Sequence, residues 1–170
     1  MTNETIFSLG KDDKTHLFSS PITCKQLTTD MLSQAENKVR ILSHHLDSAI
    51  FDNEEIRDAI LKLARKNHRS EISLLVVDER PLVSQTQRII ELMRRLPSRI
   101  NLKVINKAYP YNDSAMVLVD RYGVIFQKEN SVYDGFANFD DAGRVKQLSE
   151  IFDTLWGHAA DSLEMIQLKL

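Results

Sequence analysis

The chain has 170 residues, 42% of them hydrophobic and 27% charged, with a formal net charge of −2. That is enough for one domain with its own core, and no apolar run is long enough to span a bilayer. The single cysteine, Cys24, excludes an internal disulfide and a cysteine-based zinc site.

Residues 1–27 are weakly patterned and read as an N-terminal arm, with a short strand at His16–Ser19 or Ile22–Gln26. No basic stretch followed by an apolar core opens the chain, which points to the cytoplasm. Thr29 or Asp30 is placed to cap a helix reaching about Asn37. The run KVRILSHHL (38–46) then reads as a strand.

Asn53 is placed to cap the next helix, with Glu54 and Glu55 in its first turn and Arg65 and Lys66 in its last. That order complements the helix dipole, and Ile56, Ile60, Leu63 and Ala64 form an apolar stripe. ISLLVV (72–77) is a near-continuous apolar run, as a buried parallel strand requires. A third helix capped by Ser84 carries Ile89, Ile90, Leu92, Met93 and Leu96, and Pro97 stops it. INLKVI (100–105) alternates like a strand. A hairpin follows at 116–127, turning at Arg121-Tyr122-Gly123. The last helix starts near Asp140 or Asp141 and presents Val145, Leu148, Ile151, Phe152, Leu155 and Trp156. Alternating strands and helices argue for an α/β fold with a parallel centre, and the hairpin makes the sheet mixed.

Charge is unevenly placed. Residues 57–107 hold twelve Lys/Arg against five Asp/Glu, between acidic ends. Such a segment fits either a nucleic-acid-binding surface or the solvated faces of two helices, and the second is the commoner case. Arg94, Arg95 and Arg99 are its phosphate-compatible forks.

Chemistry-bearing motifs are sparse. There is no HExxH, no GxGxxG, no Walker loop and no GxSxG, so no cofactor or metal is expected. His44-His45 stands at the carboxyl end of a strand, the edge where open α/β sheets bind ligands. Neighbours in a strand point to opposite faces, which would keep the two apart. Asp78 and Asp120 each end a strand and suit either acid–base work or loop capping. His44, His45 and Asp78 together are the residues of a rival hydrolase site.

KVRILSHHL, EISLLVVDE, LPSRINLKVI, DSAMVLVDRYGVIFQ, FANF and IFDTLW, in that order, resemble one half of the phospholipase D-like fold. More narrowly, they resemble an uncharacterised proteobacterial family of such domains, sometimes attached to an acetyltransferase domain. The resemblance covers roughly residues 28–160. It implies a single domain over 28–170 built on a mixed β-sheet with helices on both faces. Active members carry HxKxxxxD at the hairpin strand and a later asparagine. Counted back from Asp120, the histidine position holds Asp113 and the lysine position Ala115; GFAN (135–138) offers Asn138 for the asparagine. A carboxylate repels an anionic diester, and alanine supplies no charge to its transition state. The resemblance therefore implies a non-catalytic binding or assembly module, not an enzyme. The rival readings are a phosphodiesterase with a site migrated to His44 and His45, or a nucleic-acid-binding regulator. Because two halves meet in the superfamily, a single half implies a homodimer; an acetyltransferase is a second candidate partner.

Overall fold

The computed structural model describes residues 7–66, 68–84 and 88–162. In chain order the elements are β1 (His16–Phe18), α1 (Pro21–Ser33), β2 (Lys38–Ser43), α2 (Ser48–Phe51) and α3 (Glu54–Lys66). Next come β3 (Glu71–Val76), α4 (Arg80–Ser84), α5 (Arg88–Arg95), β4 (Ile100–Val104) and β5 (Ala115–Val119). The chain then adds β6 (Gly123–Gln127), β7 (Gly135–Asn138), α6 (Ala142–Gly157) and β8 (Ala160–Asp161).

The strands form one sheet in the order β1-β7-β6-β5-β2-β3-β4-β8. Its centre, β2-β3-β4, is parallel, and β5, β6, β7, β1 and β8 add antiparallel edges. Strand periodicity then sorts the core into two layers. Val39, Ile41, Leu74, Val117 and Val119 face α1, α3 and α5, whereas Leu42, Leu75, Met116 and Leu118 face α6 with Val145, Phe152 and Leu155. The expected mixed sheet with helices on both faces is what the chain forms.

Local chemistry explains the element ends. Asn53 Oδ1 accepts from Ile56 N at 2.9 Å, capping α3 as expected, and Asp141 caps α6 through Arg144 N. The first helix differs from expectation. Ser20 caps it and Pro21 occupies its first turn, so α1 starts eight residues before Thr29 and ends at Ser33. The stretch read as an arm thus supplies β1 and the first turns of α1, with Cys24 and Leu27 buried. The helix start expected at Ser84 abuts residues 85–87, which lie outside the described residues. On α6 the stripe is narrower than expected: Ile151 is 49% exposed. Among the described residues no helix is long and apolar enough to cross a membrane.

Candidate functional site

Sheet order brings distant segments to one edge. The carboxyl end of β2 lies beside the start of β5, with Leu42 opposite Met116, and Ala115 in turn faces Gln127 at the end of β6. Three loops therefore meet there: 44–47 after β2, 111–114 before β5 and 128–134 after β6. Between them lies an open cleft of about 600 Å³, a size that suits a small ligand.

The loop after β2 turns sharply. Ser43 Oγ accepts from Leu46 N at 3.1 Å, and Leu46, fully buried, takes a left-handed conformation with φ 55°. His44 and His45 fall past the end of β2, so strand alternation no longer separates them. Both line the cleft, their ring centroids 5.7 Å apart and nearly perpendicular. The expectation that they point to opposite faces is corrected by this turn.

Asp113, also left-handed at φ 59°, enters the same cleft. Asn130 fixes it in place, donating to the Asp113 carbonyl from its backbone N at 2.9 Å and from Nδ2 at 3.0 Å. Glu129, Ser131 and Tyr133 complete that wall, with Asp47 opposite. The Tyr133 hydroxyl donates to the Asp47 carboxylate, and this bond, aided by burial, pushes the phenol up to about 12. Beneath the cleft a slot of about 20 Å³, room for one water, reaches down past Ala115 to Cys24. Burial pushes the Cys24 thiol up to about 11, which keeps it protonated and inert.

The lining holds three carboxylates, two histidines and neither lysine nor arginine. Positive charge can enter it only as imidazolium. Among the described residues no three His, Cys, Asp or Glu side chains converge as a metal site.

The other sequence candidates lie elsewhere or are occupied. Asp78 is tied to the loop, its N donating to the His44 carbonyl at 2.8 Å, but its carboxylate turns to Arg80, accepting from Nε at 2.9 Å and Nη2 at 2.8 Å. These bonds hold it well below the usual carboxylate range. Arg94 and Arg95 end α5, and Arg99 immediately precedes β4, at the opposite edge of the parallel strands from His44. Arg99 donates to the His68 carbonyl. Lys62, Arg65 and Lys66 are likewise on the exposed face of α3, and no described residue of the basic segment 57–107 lines the cleft.

Asp120 also sits at the far edge. Its carboxylate accepts from the backbone N of Glu36, Asn37 and Lys38, each at 2.8 Å, and so anchors the entry to β2. Asn138 pairs with Val124, away from the cleft; its Nδ2 donates to the Asp13 carbonyl and its Oδ1 accepts from Asp140 N. The asparagine that does reach Asp113 is Asn130. Spacing alone did not reveal it, because the 128–134 loop places it before β7 rather than within GFAN.

A family model described as Domain of unknown function (DUF7931) matches residues 20–168. The chain belongs to the DUF7931 family. No curated protein matches it in sequence. Solved structures show the fold of this DUF7931 chain. TrmBL2, an archaeal chromatin protein with a novel mode of DNA binding, aligns at TM-score 0.65 and 18% identity over 88% of this chain and 54% of its own. Nuc of Salmonella typhimurium, a phospholipase D family member, aligns at TM-score 0.61 and 16% identity over 89% and 99%. The phosphatidylserine synthase of Haemophilus influenzae Rd KW20 aligns at 0.63 and 12% over 91% and 40%. The chain thus has the phospholipase D-like fold, spanning nearly all of Nuc but about half or less of the other two.

One expectation is overturned by these likenesses. The reading that the chain is not an enzyme rested on Asp113 and Ala115, yet the same fold carries a phosphatidylserine synthase and a phospholipase D family member. Two side chains at motif positions are too little to place the DUF7931 chain outside enzymes while two histidines line the same cleft.

Proposed function

We propose that the cleft acts on a phosphate ester, with His44 and His45 in the roles that Asp113 and Ala115 cannot fill. The observation that carries this reading is the meeting of both imidazoles beside Asp113 at the carboxyl edge of β2. A neutral imidazole can attack phosphorus, and a neighbouring imidazolium can offset phosphoryl charge and protonate the leaving oxygen. In a lining whose other charged groups are carboxylates and which holds no lysine or arginine, that imidazolium supplies the positive charge that attracts the ester. Asp78 orients the loop through its backbone bond to His44 rather than reacting itself.

Trapping tests it. After reaction with bis-p-nitrophenyl phosphate and a basic quench, which preserves phosphohistidine, peptide mapping should find the adduct on His44 or His45. An adduct elsewhere, or no turnover and no adduct, contradicts the proposal.

A second reading concerns assembly and is compatible with the first. The α6 side of the sheet is thinly covered: Ile151 is 49% exposed, and Phe126, Phe136 and Trp156 are only half-buried. A second copy of the chain would cover that surface, as isologous dimers do. Sedimentation of the wild type as a dimer, and of Ile151→Glu as a monomer, supports it. A monomeric wild type at micromolar concentration removes it.

A further inference from the structure

At the edge of the sheet opposite the cleft, a second open groove of about 490 Å³ runs between the β5–β6 turn, β2 and the first turns of α6. Arg40, Arg121 and Lys146 border it, with Ser149 as a hydroxyl donor. Gly143 leaves its wall open: a Cβ there would meet nothing within 4 Å. We propose that this groove is an anion site that takes a phosphate group.

The argument is one of charge balance. The one carboxylate in the lining of the groove, Asp120, is already hydrogen-bonded. Asp120 accepts from three backbone N–H groups. Asp153 pairs with Arg40 through Nε at 3.0 Å and Nη2 at 3.2 Å, and Asp141 pairs with Arg144. Arg121 and Lys146 have no ion pair among the described residues. Against the single charge of Asp120, whose N–H donors are neutral, the groove therefore carries two unpaired cations on exposed stems, Arg121 and Lys146, beside Arg40, which Asp153 already neutralises. Arginine forks and a lysine point charge around a concavity match the oxygens of a phosphate. The cleft at the other edge has the opposite balance, so the two sites do not compete for the same explanation.

A phosphate could come as the free ion or within a nucleic-acid backbone, and two probes separate these sources. Inorganic phosphate is titrated calorimetrically, and a fluorescein-labelled oligonucleotide is followed by anisotropy at several salt concentrations. Binding of phosphate alone assigns a free-ion site. Binding of the oligonucleotide, weakening steeply with salt, assigns a backbone site. In either case the double variant Arg121→Glu/Lys146→Glu should bind at least about tenfold more weakly. Arg121→Gln/Lys146→Gln should fall between it and the wild type, with Lys62→Glu, on the exposed face of α3, unchanged. The side chains changed are all exposed or half-buried, so these variants should melt with the wild type. The proposal is overturned if the wild type binds neither probe, if the double variant binds as tightly, or if His44→Ala abolishes binding while the groove variants do not.

Discussion

Asp120 and Lys38 are bonded reciprocally across 82 residues of chain: Asp120 N donates to the Lys38 carbonyl at 2.7 Å, and Lys38 N donates to Asp120 Oδ1 at 2.8 Å. With Glu36 N and Asn37 N on the same carboxylate, this contact fixes where β2 begins, and hence where it delivers His44 and His45. Asp120 can occupy its left-handed turn, φ 54°, because a short polar side chain tolerates it.

Removing that carboxylate should therefore loosen the centre of the sheet. Asp120→Ala leaves three N–H groups without their acceptor, that of Lys38 partly buried and those of Glu36 and Asn37 exposed, and is expected to cost about 1–2 kcal/mol. Asp120→Asn keeps one acceptor oxygen and should cost less. Urea unfolding measures both, and equal stability of all three proteins would contradict the anchoring role.

Gly135 opens β7 so close to β6 that a Cβ would lie 2.1 Å from the Phe126 carbonyl oxygen and 2.8 Å from Phe18. A backbone oxygen in a paired strand cannot move aside. Gly135→Ala should destabilise the chain by roughly 2–4 kcal/mol, whereas Gly143→Ala, facing open space, should be close to neutral. Thermal melting of the pair checks the contrast.

Tyr133 titrates late because its hydroxyl donates to Asp47. Its folded value, about 12, lies above the ordinary phenol range. The fold thus holds this proton more tightly than the unfolded chain does. The associated stability is fully present below about pH 10 and fades as pH climbs towards the folded value. Ultraviolet titration of the tyrosinates should show Tyr133 moving down in Asp47→Asn. No change in that variant would separate the shift from the Asp47 contact.

Cys24 lies on the buried face of α1, and burial raises its thiol to about 11. A thiol-reactive disulfide reagent at neutral pH should react slowly with the native chain, and at the full rate of a free cysteine in urea. Rapid native labelling would show that the slot beneath the cleft opens.

The elements written in the plainest periodicity were readable from sequence. The α3 helix announced itself through Asn53, its acidic first turn and its apolar stripe; β3 did so through a continuous apolar run, and the hairpin through Arg121-Tyr122-Gly123. The start of α1 was placed too late because Thr23, Lys25 and Gln26 blur its stripe, although Ser20-Pro21 is a start signal. The site was half legible. His44, His45 and Asp113 stood out, but only the turn at Leu46 decides that the two rings share a cleft. Asn130 could not be found, because its role comes from a loop folding back on Asp113. The arginines looked like phosphate ligands in one dimension, and the parallel crossover from α5 to β4 carries them to the opposite edge.

The most direct test of the histidine cleft is the rate of bis-p-nitrophenyl phosphate hydrolysis across pH for wild type, His44→Ala, His45→Ala and Arg80→Ala. Either histidine variant should lose at least about 100-fold, and Arg80→Ala should stay near wild type. Equal rates in the wild type and both histidine variants, or no hydrolysis by the wild type at any pH, would contradict the account.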